Sequence, residues 1–152
     1  FEEERAVKLI NSYLLVSKQE DNFATIDAMI FDQQTGKANF IKIGSCPTFI
    51  GTKDEATVTI ESNNLPVGIV GEINIETKQR ILKKGNIVVM VTDGIIDAQT
   101  EKKEDAIKEV IAAVKNTSAQ RLADIILQES VDSNFGITKD DMTVIVARVN
   151  EK

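Results

Sequence analysis

Two short apolar runs, each with aspartate at one end, constrain this chain more than any other feature. Residues Ile87 to Gly94 read Ile-Val-Val-Met-Val-Thr-Asp-Gly, a β-branched run closed by an acid and a glycine. Residues Lys139 to Val149 read Lys-Asp-Asp-Met-Thr-Val-Ile-Val-Ala-Arg-Val, where a pair of acids opens the run. Runs of this length and composition form strands buried on both faces. If the two lie antiparallel and adjacent, the end of the first sits beside the start of the second. Asp93 and the Asp140/Asp141 pair then meet at one edge of a sheet. Carboxylates gathered in one place repel each other unless a cation neutralises them. Oxygen-only ligands favour a hard ion, Mg²⁺ or Mn²⁺. Either motif alone reads as an ordinary turn. Their pairing is what makes a metal site the expectation.

The chain has 152 residues, enough for one domain with a real core. Its apolar fraction of 42% is that of a globular protein. A formal charge of −6 offers no basic surface to a phosphate backbone, so nucleic acid is not an expected partner. No apolar run is long enough to cross a bilayer and no signal peptide is visible, so this segment is expected to make no membrane contact. The single cysteine, Cys46, rules out an internal disulfide and fits a reducing, cytoplasmic setting. A homodimer is left open. The chain opens on Phe1 inside a helical pattern, without methionine, so a fragment of a longer protein is expected.

Histidine is absent. Neither a Ser-His-Asp nor a Cys-His pair can be built, and the common histidine zinc sites are unavailable. Cys46 lacks the following arginine of a cysteine-phosphatase loop, since position 52 is Thr. Acid-base or metal chemistry must rest on carboxylates, lysines or hydroxyls.

Before the first motif the pattern is helix, then strands. Glu2 to Val16 reads as a helix with Ala6, Leu9, Ile10, Tyr13 and Leu14 on its apolar face. Phe23 to Asp32 alternates as a strand, and Gln34 to Lys37 forms a hairpin turn into Ala38 to Ile43. Asp27 shares a strand face with Thr25, Met29 and Phe31. As a buried acid it needs hydrogen bonds from backbone or hydroxyls, or a metal cation. Thr48 to Gly51, Ala56 to Glu61 and Ile73 to Ile81 read as further strands. After Gly94, the stretch Gln99 to Asp105 is charged and weakly patterned, so it is expected to be mobile. Ile107, Val110, Ile111 and Val114 mark a second helix. Thr117 and Gln120 form a capping box for a third, which carries Leu122, Ile125 and Ile126. Ser133 to Thr138 reads as a loop. Strands in a row with helices at both ends suggest an α+β layered domain.

Val91-Thr92-Asp93-Gly94 and Asp140-Asp141-Met142-Thr143-Val144 resemble the last two acidic motifs of metal-dependent serine/threonine phosphatases of the protein phosphatase 2C type. Leu82-Lys83-Lys84-Gly85-Asn86, Leu65-Pro66-Val67-Gly68 and Gly44-Ser45-Cys46-Pro47 are similar to its bacterial sporulation branch, the stage II sporulation protein E family, over nearly the whole chain. The resemblance implies a layered α/β/β/α sandwich of antiparallel sheets flanked by helices, N-terminally truncated. Residues 1–152 would be a single phosphatase-like domain without the family's first helix and first acidic motif. It implies hydrolysis of phosphoserine on an anti-anti-sigma factor in sporulation control, with two Mn²⁺ or Mg²⁺ ions, and a membrane-anchored parent. Carried over residue by residue, Asp93 and Asp140 are the catalytic metal ligands. Gly94 lets the backbone pass close to the ions, and Asp141 stands behind Asp140 where many relatives have asparagine. Asp97 matches an acidic position that serves a further ion or the flap. Gly44 and Ser45 shape the floor of the site. The family's first aspartate has no counterpart here and Asn86 replaces an acid, so the metal pair is expected to be incomplete in this stretch. The alternative expectation is a non-catalytic binding or regulatory module on the same fold.

Overall fold

The computed structural model describes residues 2–17, 22–52, 55–97, 103–114, 117–133 and 140–150, the side chains of Asp97 and Lys103 excepted. Its elements run α1 (Glu2–Val16), β1 (Ile26–Phe31), β2 (Lys37–Ile43), β3 (Thr48–Gly51), β4 (Val58–Ile60), β5 (Thr77–Ile81), β6 (Ile87–Val91), α2 (Asp93–Asp97), α3 (Lys103–Ala113), α4 (Ala119–Ser133) and β7 (Val144–Arg148). They make two antiparallel sheets, ordered β1-β2-β5 and β4-β3-β6-β7, with flanking helices. That is the α+β class expected. Among the described residues no helix is long and apolar enough to cross a membrane. The chain divides into two compact units, Phe1–Ser45 with Glu61–Ile81, and Cys46–Ile60 with Leu82–Lys152.

In the first unit a hairpin joins β1 to β2. Asp32 builds its turn: Oδ1 accepts the Gln34 amide at 2.8 Å, and Oδ2 accepts the Thr35 hydroxyl at 2.7 Å. Gly36 closes it at φ +74°, where a side chain would be strained. The turn therefore begins before Gln34, on an Asp side chain that mimics a backbone acceptor. The strand expected from Phe23 starts at Ile26, and Ala24 makes only an isolated bridge to Val67. The strand expected from Ile73 is also shorter, because Thr77 is the first residue opposite β2. Ile73 and Ile75 instead pack on the cluster of Val7, Ile41, Ile43 and Val67.

Helix α1 presents a different face from the one expected. Val7 and Asn11 are buried, while Leu9 is 73% and Tyr13 68% exposed. The cause is Asn11, a polar residue that apolar periodicity ignores. Its Nδ2 donates to the carbonyls of Val70 at 2.9 Å and Gly71 at 3.4 Å, and its Oδ1 accepts the Gly68 amide at 2.7 Å. A side-chain amide satisfied at both ends can be buried without an orphaned group. Gly68 has φ +93°, and a Cβ there would lie 2.4 Å from the Asn22 carbonyl oxygen. Asparagine and glycine together hold the helix to the following loop.

Asp27 stands opposite Lys42 in the β1–β2 register, and its Oδ2 lies 2.7 Å from the lysine Nζ. The lysine side chain is 3% exposed and the aspartate 17%. The cation that this acid requires is thus an ammonium from the neighbouring strand.

The second unit is built on β6, which runs between β3 and β7. Ile87, Val89 and Val91 join Phe49, Ile95, Ile107, Ile111, Leu122 and Ile126 in one core, so alternate residues of β6 face the helices. Gly51 allows α3 to approach β3, since a Cβ would lie 2.6 Å from Ile111 Cγ2. Helix α3 begins at Lys103, so the last part of the stretch expected to be mobile is helical; residues 98–102 lie outside those described. Helix α4 is capped by Ser118 rather than by Thr117. The Ser118 hydroxyl accepts the Arg121 amide at 3.1 Å, while the Thr117 hydroxyl donates back to the Val114 carbonyl at 2.9 Å. Ser133 ends that helix, and the rest of the expected 133–138 loop lies outside the described residues. Strand β6 is buried on both faces, as expected. Strand β7 is not: it ends the sheet order, and Ile145 is 56% exposed.

Removing the carboxylate of Asp27 breaks a buried ion pair by one side only, which costs about 3–5 kcal/mol. Asp27→Ala should lower stability on that scale in urea unfolding. Asp27→Leu combined with Lys42→Met should cost less than Asp27→Ala alone, because no buried charge remains.

Candidate metal centre

The pairing of β6 with β7 delivers the acids. Its register runs from Ile87 opposite Arg148 to Val91 opposite Val144. One residue further, the Thr92 amide donates to the Thr143 carbonyl at 3.1 Å. The Thr143 amide donates to Thr92 Oγ1 at 2.8 Å, and that hydroxyl donates to the Asp141 carbonyl at 3.2 Å. The strand then turns into α2, whose first residue is Asp93.

Gly94 is buried where the two motifs touch. A Cβ at this position would lie 2.4 Å from the Asp141 carbonyl oxygen and 3.4 Å from the Asp140 carbonyl carbon. Glycine is therefore required by contact here, not by dihedral angle. The Asp-Gly of one motif and the Asp-Asp of the other lie backbone against backbone at one edge of the sheet.

Asp93, Asp140 and Asp141 are exposed. Asp93 Oδ1 accepts the Gly94 amide at 3.0 Å, and Asp140 Oδ1 accepts the Asp141 amide at 2.8 Å. Two of the three carboxylates, those of Asp93 and Asp140, are thus fixed to the backbone through one oxygen. No basic side chain among the described residues forms an ion pair with any of the three. Exposed carboxylates on two backbone segments that touch at Gly94, without a basic partner among the described residues, fit a hard divalent cation in kind. In number they fall short. Among the described residues no three His, Cys, Asp or Glu side chains gather into a group that could hold a metal ion.

The remaining site residues from the sequence stand as follows. Asp97 is the last residue of α2, and its side chain lies outside the described residues. Gly44 and Ser45 follow β2 in the first unit. Gly44 has φ +62°, donates its amide to Ser62 Oγ at 2.9 Å and leaves no room for a Cβ beside Pro66. The Ser45 hydroxyl is buried and has no hydrogen-bond partner among the described residues. Thr92 escaped the sequence reading as a functional residue. The signal that marks it is a capping-type residue placed directly before Asp-Gly, where a strand becomes a helix.

The fold matches the solved PP2C phosphatase domain, with a fragment of the regulatory domain, of the cell fate determinant SpoIIE from Bacillus subtilis. The TM-score is 0.85 at 33% identity, over 95% of this chain and 44% of that one. Two antiparallel sheets with flanking helices, and aspartates where β6 meets β7, define the protein phosphatase 2C class of domain. The sequence profile of stage II sporulation protein E (SpoIIE) matches residues 1–150, and the chain belongs to that family. It is 34% identical to stage II sporulation protein E of Priestia megaterium over 97% of this chain, and 32% identical to that of Bacillus subtilis over 98%. It spans only 26% and 18% of the lengths of these relatives.

Gly94→Ala should force the 140–141 backbone off α2. Overpacking of this kind costs about 1–3 kcal/mol. In ¹H–¹⁵N spectra the largest shifts outside α2 itself should fall on the amides of Asp141 to Thr143.

Proposed function

We propose that this chain is the phosphatase part of a protein that hydrolyses phosphoserine on an anti-anti-sigma factor in sporulation control, with Mn²⁺ or Mg²⁺ at Asp93 and Asp140. The observation that carries this reading is the convergence of the two aspartate motifs beyond the last rung of β6 and β7. The family name of the relatives and the phosphatase domain of the solved neighbour support it.

A bound divalent ion supplies positive charge against phosphate oxygens and makes a water nucleophilic at neutral pH. Asp93 and Asp140 would supply the negative charge that holds it. Asp141 adds a neighbouring carboxylate that raises the negative potential further. Gly94 lets the 140–141 backbone close on α2. The chain has no histidine to carry a phosphoryl group, which agrees with direct attack by water.

In the full-length protein acting on a phosphoserine protein substrate, a chelator should abolish activity and Mn²⁺ restore it. Asp93→Asn should lower kcat at least about 100-fold, the scale lost with one electrostatic stabiliser. Activity that persists in chelator, or in the Asp93→Asn variant, overturns the reading.

A second reading, a non-catalytic module on the phosphatase fold, draws on the lack of a three-ligand group among the described residues. Calorimetric titration with Mn²⁺, of this chain and of one extended at its N-terminus, separates the two. Uptake by the longer chain supports the enzyme; uptake by neither supports the module.

A further inference from the structure

We propose that Thr92 is a positioning residue for the metal site, its hydroxyl replacing a main-chain acceptor that β6 gives up on becoming α2. The proposal rests on the reading that Asp93 and Asp140 hold the ion.

An antiparallel ladder is continued by reciprocal bonds between the main chains of opposed residues. Thr92 and Thr143 are the next pair after Val91 and Val144, and only half of that exchange is made by main chain. The Thr92 amide donates to the Thr143 carbonyl at 3.1 Å. The return bond does not follow the usual pattern, because the Thr92 carbonyl has turned with the chain into the helix. It accepts the Ile95 amide at 3.0 Å, which starts α2. The Thr143 amide therefore donates to Thr92 Oγ1, at 2.8 Å. The hydroxyl proton goes on to the Asp141 carbonyl at 3.2 Å.

Thr92 sits where a capping residue would sit, with its carbonyl taking the first helical bond. A capping threonine usually turns its hydroxyl to an amide in the first turn of its own helix. Here the hydroxyl serves the opposite strand. Its role at the Gly94 amide is taken by Asp93 Oδ1, at 3.0 Å. This division lets one chain enter a helix at Asp93 while the other stays strapped through Asp141 and Thr143. The two aspartates are neighbours of the residues so tied. Groups that orient metal ligands in this indirect way typically change metal affinity about 10–100-fold when removed.

Thr92 is exposed, so a substitution there leaves the core intact. In the full-length protein, Thr92→Val removes the hydroxyl and keeps the branched shape. Thr92→Ser keeps the hydroxyl. Mn²⁺ affinity by calorimetry should fall about 10-fold in the valine variant. Exchange of the Thr143 amide proton should quicken about 10-fold, on the scale of one lost hydrogen bond. The serine variant should stay within about 3-fold of the unaltered protein in both readouts, since its donor and acceptor are retained. Unchanged Mn²⁺ affinity in the valine variant overturns the proposal. So does a serine variant as impaired as the valine one, which would make Thr92 a packing residue only. Should the unaltered protein take up no Mn²⁺, the metal-site reading fails. The amide exchange then still decides on the hydroxyl, because unchanged Thr143 exchange in the valine variant overturns its role.

Discussion

The register of β6 against β7 is the constraint on which the rest depends. Side chains on a strand alternate, so a slip of one residue would turn Ile87, Val89 and Val91 away from the helices. Fully burying a Val or Ile side chain is worth about 1.5–3 kcal/mol. Repulsion between exposed carboxylates a few ångströms apart amounts to about 1 kcal/mol in water. Burial therefore wins by a wide margin. The core fixes the register, and the register sets the Asp93-Gly94 turn against the Asp140-Asp141 backbone whatever the acids would prefer.

The same logic, with the opposite sign, applies to Asp27 and Lys42. There the sheet places unlike charges opposite each other and removes most of their water. Such a pair adds little net stability, because desolvation offsets attraction, yet it penalises any register that leaves one charge alone. One sheet thus uses a neutral pair to specify its alignment. The other uses its alignment to bring two acid-bearing backbone segments into contact.

Much of this was legible in the sequence. The β-branched run of β6, the span of β3 and the backbone contact of the Asp93-Gly94 turn with residues 140–141 follow from apolar runs and antiparallel geometry. Three of the misses share one cause: a polar side chain took a role that hydrophobic pattern cannot register. Asn11 turned α1 by binding the 68–71 backbone, so Leu9 and Tyr13 faced outward instead of inward. Ser118, not Thr117, met a free amide in the first turn of α4, that of Arg121. Thr92 passed for an ordinary strand former because its partners lie 49 and 51 residues away. The edge position of β7 was hidden too, since sequence alone does not rank strands across a sheet. Asp141 is bound through its carbonyl, which no side-chain motif encodes.

Asn11 also limits how this chain can drift. Its amide measures the distance from helix to loop at both ends, and only an amide at that step of the helix satisfies the Gly68, Val70 and Gly71 backbone together. Inserting or deleting one residue between Val7 and Asn11 would swing the following turn by about 100°. An apolar neighbour would then face polar backbone groups. The length of α1 between these points is consequently frozen, whereas its outer surface remains free to change sequence.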